Sequence, residues 1–167
     1  PRTIEHILQL LPGTTNLWMI LGTSPLERYW QAEIEQACQR FTNRVGFSFV
    51  SHFTLEQMRR RLSTLPARSA ILYVLLTVDA AGVPYEQDAA FKVLASSANA
   101  PIFGLFDTQL EQGIVGGPLL SLHDMGEASA RVAVRMLNGE SPAAIQTPTF
   151  SQTLSMYNWR ELQRWNI

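Results

Sequence analysis

The segment Leu17-Trp-Met-Ile-Leu-Gly-Thr-Ser-Pro25 is a continuous apolar run that ends in a turn and a helix start, and it points to the fold class. Uninterrupted apolar runs of this length are typical of strands covered on both faces of a parallel sheet. Pro25 suits the first turn of a helix, and Ser24 before it is a favourable N-cap. We predict a strand over 17–21 and a helix over 26–41, whose apolar residues recur at helical spacing: Leu26, Tyr29, Trp30, Ile34, Ala37 and Phe41.

The same alternation of strand and helix continues along the chain. Apolar runs at 45–50, 71–76 and 101–106 predict three more strands, and a further helix is predicted over 86–98. Thr54 and Gln57, three residues later, form a capping box that starts another helix. Alternating strands and helices of this kind predict an α/β fold, with a doubly wound parallel sheet in three α/β/α layers.

The final third of the chain has a different pattern. Gly113-Ile-Val-Gly-Gly117 predicts a short strand bounded by glycines, and 121–137 predicts a helix closed by Gly139 and Pro142. Polar and apolar residues alternate along the segment 149–157, which predicts an edge strand. A short terminal helix follows, with three apolar residues on one face: Trp159, Leu162 and Trp165.

Composition excludes several classes of protein. The 167 residues are 46% hydrophobic, which is enough for one domain with a core. With 13 Lys and Arg against 14 Asp and Glu, the chain lacks the positive surplus of a nucleic-acid-binding face, and we expect no nucleic-acid partner. Cys38, the single cysteine, excludes an internal disulfide, and we expect it to be a buried, inert thiol. The abrupt start at Pro1 and end at Ile167 lead us to expect a part of a larger protein.

Short polar residues follow the predicted strands. Ligands of open parallel sheets collect beyond the carboxyl ends of the strands, which nominates the loops at 22–24, 51–52, 77–79 and 107–108. Thr23 and Ser24 also precede a helix N-terminus, whose free amides favour anionic groups, although helix capping alone would explain Ser24. Asp107 follows an apolar strand with no obvious helix to cap, so it is either a ligand contact or a turn former.

No catalytic set emerges from the residues. His6, His52 and His123 lack metal-site spacing, and phosphate-loop, dinucleotide and nucleophile-elbow motifs are absent from the sequence. Asp79 and Asp107 would serve as acid and base only if the fold brought them together, and we expect two separate loop carboxylates. We therefore predict a non-enzymatic binding site for a small molecule, with no cofactor and no metal.

Several segments resemble periplasmic substrate-binding proteins of ABC transporters. The final third of those proteins contains a strand, a helix and an exit segment in a fixed order. The matching segments here are Gly113-Ile-Val-Gly-Gly117, Gly126 at the helix start, and Leu137-Asn-Gly-Glu-Ser-Pro-Ala-Ala-Ile145. Asn158-Trp-Arg-Glu-Leu-Gln-Arg-Trp165 is similar to the end of the extracytoplasmic sensor domain of bacterial sensor histidine kinases with this fold. Asn158 and Asn166 depart from the pattern, in which Asp and Gly are usual. The remaining matching segments are 21–25, 28–30 and 101–108.

The resemblance implies one flavodoxin-like lobe of a two-lobed, type I periplasmic binding protein, with ligand held in the cleft between lobes. Within a single domain over 1–167, the second lobe would span 14–112. A crossover strand and a first-lobe-type helix would span 113–138, and a C-terminal strand and helix 149–167. Carried over by position, the ligand-binding residues would be Thr23, Ser24, Thr77, Asp79, Asp107, Thr108 and, at the crossover, Gly116.

The function that the resemblance implies is ligand sensing by the periplasmic domain of a two-component histidine kinase, tethered to the membrane through its parent chain. A soluble substrate-binding protein of an ABC transporter is the alternative, followed by a flavodoxin-like enzyme. The helix over 121–137 would belong to a first lobe that precedes Pro1, so its apolar face would be either exposed or covered by a second chain. We therefore expect a homodimer.

Overall fold

The fold is built on a four-stranded parallel sheet, described by a computed structural model that covers residues 1–146 and 153–167, except for the side chains at 87 and 88. The strand order is β2-β1-β3-β4, and β1 pairs with both β2 and β3. This arrangement confirms the predicted α/β fold with a parallel sheet. The strands are β1 (Asn16–Leu21), β2 (Gly46–Phe49), β3 (Ser69–Leu75) and β4 (Ile102–Phe103).

Six α-helices and a separate two-stranded sheet complete the described part of the chain. The caps of the second and third helices are as predicted, because Ser24 accepts from the Glu27 amide and Thr54 from the Gln57 amide. The helices are α1 (Arg2–Leu10), α2 (Pro25–Cys38), α3 (Leu55–Leu62), α4 (Gln87–Ser97), α5 (Leu122–Leu137) and α6 (Trp159–Trp165). The two strands are β5 (Gly116–Leu119) and β6 (Leu154–Tyr157).

Helices cover both faces of the parallel sheet. Successive side chains of a strand point to opposite faces, so Trp18 and Ile20 pack with α3 and α4, while Leu17, Met19 and Leu21 pack on the other face. That second face is covered by residues of α1, α2 and α6. Helices on both faces of the sheet make the three α/β/α layers. Because β1 and β3 are covered on both faces, their apolar runs are continuous.

Only the later part of the apolar spacing predicted over 26–41 marks the buried face, where Phe41 is buried and Ile34 packs against the core. Leu26, Tyr29 and Trp30 are 56%, 59% and 46% exposed. The inward-facing residues are instead Glu27, which is 0% exposed, and Cys38, with Ile34 partly buried between them. Cys38 is buried as expected, and burial raises the pKa of its thiol to about 11.

The chain after β3 departs from the predicted boundaries. The strand predicted over 101–106 ends at Phe103, because the amides of Leu105 and Phe106 donate to the side chain of Gln109 rather than to a neighbouring strand. The amide of Val115 donates to the carbonyl of Ile102, so the chain first runs beside β4. It meets the segment after β4 again at Leu120, whose amide donates to the carbonyl of Leu105 and whose carbonyl accepts from the amide of Asp107.

The strand predicted over 113–117 is shifted along the chain. Strand β5 begins only at Gly116 and pairs antiparallel with β6. Gly116 has φ of 110°, and a Cβ there would overlap the carbonyl of Met156. Only glycine permits this close approach of β6. β6 is exposed along its length, as expected of an edge, whereas positions 149–152 of the predicted strand lie outside the described residues.

Helix α5 has no buried residue. Leu122, Val134, Met136 and Leu137 are exposed on it, so these four apolar side chains face solvent, whereas Met125 and Val132 are partly buried. Across the described ranges, no helix combines the length and the apolar content needed to cross a membrane.

Candidate functional site

The loops that follow the parallel strands lie at one edge of the sheet, and the structure brings two of them into direct contact. The amide of Thr23 donates to the carbonyl of Val78 at 2.8 Å, and its hydroxyl donates to the carbonyl of Asp79 at 2.8 Å. The loop after β1 and the loop after β3 are therefore tied together. Asp107 follows β4, a parallel strand of the same sheet, so it lies at the same edge as Thr23.

A buried side chain, Glu27, holds the same two loops. One oxygen of its carboxyl group accepts from the amide of Ser24 at 2.8 Å, and the other accepts from the amide of Thr77 at 2.5 Å. Gly22 leaves room for this group, since a Cβ there would lie 2.6 Å from both Glu27 oxygens. Glu27 is not among the predicted site residues, although its position three residues after Ser24 completes a capping box that can be recognised in the sequence.

Asp79 organises the loop after β3. It is 1% exposed, and its carboxylate accepts from the amides of Leu55, Ala81 and Val83 and from the hydroxyl of Tyr85, at 2.9–3.1 Å. Burial opposes ionisation of Asp79, but these hydrogen bonds outweigh it and lower its pKa below the ordinary value. Its oxygens are occupied internally, so Asp79 positions the loop, and a direct contact with ligand stays a prediction.

Asp107 holds the start of α5. One of its carboxylate oxygens accepts from the amide of Thr108 at 2.9 Å and from the amide of Leu122, the first residue of α5, at 3.2 Å. The expectation that Asp107 has no helix to cap was wrong, because α5 is 15 residues away in sequence and adjacent in space. Thr108 beside it is exposed.

Gln109 is a second buried polar residue that our sequence analysis missed. It is fully buried, and its side-chain oxygen accepts from the amides of Leu105 and Phe106 at 2.8 and 3.0 Å. These two bonds fix the orientation of the side-chain amide, whose nitrogen has no partner within the described part of the chain. Gln109 shapes the turn that carries Asp107 and Thr108. No sequence pattern distinguishes it from a surface glutamine.

The remaining predicted site residues fall into different groups. Ser24 is used as the N-cap of α2, and Gly116 is explained by the close approach of β6. The carboxylates of Asp79 and Asp107 accept from different donors, in agreement with two separate loop carboxylates. His123 has its ring near the carboxylates of Asp124 and Glu127, but all three residues are exposed and Glu127 is paired with Arg131.

An open cleft of about 420 Å³ lies beside the tied loops. One wall is formed by the middle of α2, from Arg28 to Glu35, and the other by the loops after β1 and β2. Arg28 stands at the rim, where its guanidinium donates to the carbonyl of Thr23. The lining residues are Gly22, Thr23, Arg28, Gln31, Ala32, Glu35, Ser51 and His52.

Replacing Glu27 by Ala tests whether its carboxyl group holds the two loops. The variant leaves two partly buried amides without acceptors and opens a cavity at a buried position, so we expect the free energy of unfolding to fall by about 3 kcal/mol in urea denaturation followed by circular dichroism. Glu33→Ala, an exposed residue of the same helix, is the matched control and should change stability by less than about 0.5 kcal/mol. Equal stability of the two variants would contradict the role of Glu27.

Asp79 should make stability depend on pH in acid. Since the pKa of its carboxylate is lower in the folded state than in the unfolded chain, the ionised form adds stability above about pH 5, which is lost as pH falls through the folded pKa. In urea titrations between pH 6 and pH 2, Asp79→Asn should be less stable than the parent at pH 6, with a gap that narrows below pH 4. Asp124→Asn, an exposed carboxylate, should show no such gap. A constant difference between parent and Asp79→Asn across this range would count against the assignment.

The described fold is shared with solved structures of other proteins. The chain matches an ABC domain in complex with L-Trp from Streptococcus pneumoniae with a TM-score of 0.74 and 20% identity, over 99% of this chain and 56% of that one. It matches a conserved domain protein from Vibrio cholerae (TM-score 0.73, 15% identity) over 98% of this chain and 54% of that one. It also matches the ligand-free, open structure of a substrate-binding protein with adhesive properties from Clostridium difficile (TM-score 0.69, 16% identity), over 99% of this chain and 54% of that one.

These likenesses show the fold of the chain and how much of each solved structure it matches. No protein-family model matches the sequence, and no curated protein matches it. The chain spans about half the length of the solved structures. It therefore has the fold of a substrate-binding-protein-like domain: a parallel α/β sheet flanked by helices, like a flavodoxin-like lobe of a periplasmic binding protein.

Proposed function

We propose that this chain is a non-enzymatic domain that binds a small molecule at the carboxyl edge of its parallel sheet. The observation that carries the proposal is the direct tie between Thr23 and Asp79, which fixes two polar loops beside an open cleft. Two of the solved structures with this fold are an ABC domain in complex with L-Trp and a substrate-binding protein. The proposal includes no cofactor and no nucleic-acid partner.

The finer proposal is a periplasmic sensor domain of a two-component histidine kinase, tethered to the membrane through its parent chain. The resemblance of Asn158-Trp-Arg-Glu-Leu-Gln-Arg-Trp165 to the end of such domains supports it. A ligand that binds one arrangement of the domain more tightly shifts the equilibrium of the attached segments toward that arrangement. The size of the signal is then limited by the difference in affinity between the two arrangements.

The alternative is a substrate-binding protein that serves a transporter. The ABC domain in complex with L-Trp from Streptococcus pneumoniae and the substrate-binding protein from Clostridium difficile favour it. The coding sequence downstream of Ile167 discriminates between the two roles, because membrane-spanning and kinase segments there favour a sensor. The third alternative, a flavodoxin-like enzyme, would be favoured by a coloured preparation or by turnover of generic esters.

Mass spectrometry of the purified protein under native conditions should identify a small molecule carried through purification. Calorimetry with that molecule should then show at least a tenfold loss of affinity for Asp107→Ala. Asp107→Asn keeps an acceptor for the Leu122 amide, so it separates an effect of charge on the ligand from the loss of the α5 contact. Thr42→Val, an exposed residue after α2, is the control. Unchanged affinity in both Asp107 variants would remove Asp107 from the site.

We also propose that the isolated chain associates as a homodimer through the exposed apolar face of α5. Apolar side chains along a helix with no buried residue favour association. Light scattering should report a dimer at high concentration, and Val134→Glu combined with Leu137→Glu should return it to the monomer. Glu substitution at Arg135, an exposed residue about 160° around the helix from Leu137, should have less effect. If the unsubstituted chain stays monomeric at high concentration, the proposal is contradicted.

A further inference from the structure

We propose that the domain has a second binding site, for a small apolar anion, at the edge of the parallel sheet where the strands begin. This edge is opposite the one that carries the cleft beside α2, so the second site is independent of the proposed function. A separate cleft of about 550 Å³ opens there, a volume within the range of small-molecule sites. One positive charge, fixed among apolar walls, carries the proposal.

Three loops that lead into parallel strands form this second cleft. They are the segments 10–14 before β1, 65–69 at the start of β3 and 99–101 before β4. Because β1, β3 and β4 run parallel, their first residues lie at the same edge of the sheet. The indole of Trp165, on α6, completes the lining.

Most of the lining is apolar and rigid. Its three prolines fix their own backbone φ angles. The indole nitrogen of Trp165 donates to the carboxylate of Glu161 at 3.0 Å, so the indole already has its polar partner and offers apolar surface. A ligand seated here should therefore have an apolar body. The apolar residues of the three loops are Leu10, Leu11, Pro12, Leu65, Pro66, Ala67, Ala100 and Pro101.

Arg68 is the one charged residue in the lining of this cleft. The Nε of its guanidinium donates to the carbonyl of Gly13, which belongs to the facing loop, so the group lies across the cleft. No carboxylate among the described residues forms an ion pair with it. The bond to Gly13 uses one of five N–H donors, and the others of a planar guanidinium suit a carboxylate.

The backbone holds Arg68 in position before any ligand binds. Its φ of 64° is left-handed, which is uncommon for a residue with a long side chain. Its carbonyl accepts from the amide of Thr15 at 2.9 Å, which ties it to the loop before β1. On the other side, the side-chain amide of Asn99 bonds both the amide and the carbonyl of Leu65 at 3.0 Å. A preset wall of this kind lowers the entropic cost of binding.

The charge of the lining determines the class of ligand. Thr14, Ser69 and Asn99 are its uncharged polar residues, and it includes neither Asp nor Glu. A cation would therefore meet only a like charge, and an uncharged compound would leave the guanidinium without an ionic partner. An anion with an apolar ring satisfies both Arg68 and the apolar walls.

Three compounds that share a ring system test the preference for an anion. They are 1-naphthoate, 1-naphthalenemethanol and 1-naphthylmethylamine, which are an anion, an uncharged compound and a cation. We expect calorimetry on the purified protein to show about tenfold tighter binding of naphthoate than of the alcohol, with the amine binding most weakly. Arg68→Gly should bind naphthoate and the alcohol equally, because glycine adopts the left-handed conformation without strain and the loop is kept. Trp165→Leu should weaken the binding of both.

Arg44→Gln is the matched control, because Arg44 is exposed, precedes β2 at the same edge of the sheet and does not line the cleft; this variant should keep the preference for naphthoate. The inference is overturned if the unsubstituted protein binds naphthoate no more tightly than the alcohol, or if Arg68→Gly keeps the preference. Loss of the preference in Arg28→Gln would place the anion in the cleft beside α2 and would overturn it as well. The proposed function is tested separately, by the compound carried through purification.

Discussion

A carboxyl group buried under the edge of the sheet is the constraint on which the rest of the site depends. A buried polar group must find partners within the protein, and Glu27 accepts hydrogen bonds from the amides of Ser24 and Thr77. Thr77 is 50 residues away from Glu27 in the sequence. Both loops are placed by this one side chain. Its position also turns α2, since the inward stripe begins at Glu27 and the aromatic pair Tyr29 and Trp30 is left outside.

The groups at this edge fall into two kinds. Glu27, Asp79 and the hydroxyl of Thr23 are saturated by internal hydrogen bonds, so they fix the backbone of the loops. Arg28, Glu35 and His52 line the cleft and keep free bonding capacity. A site built in this way is ordered before a ligand arrives, which lowers the entropic cost of binding.

Much of the fold could be predicted because it follows from apolar runs and local hydrogen bonding. The strands around Leu17 and Ile71 and the caps at Ser24 and Thr54 depend on residues close in sequence. The missed features depend on distant partners. Burial of Glu27 requires Thr77, the early end of β4 requires Gln109, and the displaced strand β5 requires β6 as its neighbour. Periodicity contains no information about such pairs.

The attachment of α5 has a mechanical consequence. The helix has no buried residue along its length, and it is fastened at its first turn, where Leu122 meets Asp107 and Ser121 is buried. A helix of 16 residues is about 24 Å long, so a tilt of about 5° at that fastening moves the far end by about 2 Å. Asp107 lies at the edge of the sheet where we propose that a ligand binds. A movement of Asp107 would therefore be enlarged at the far end of α5.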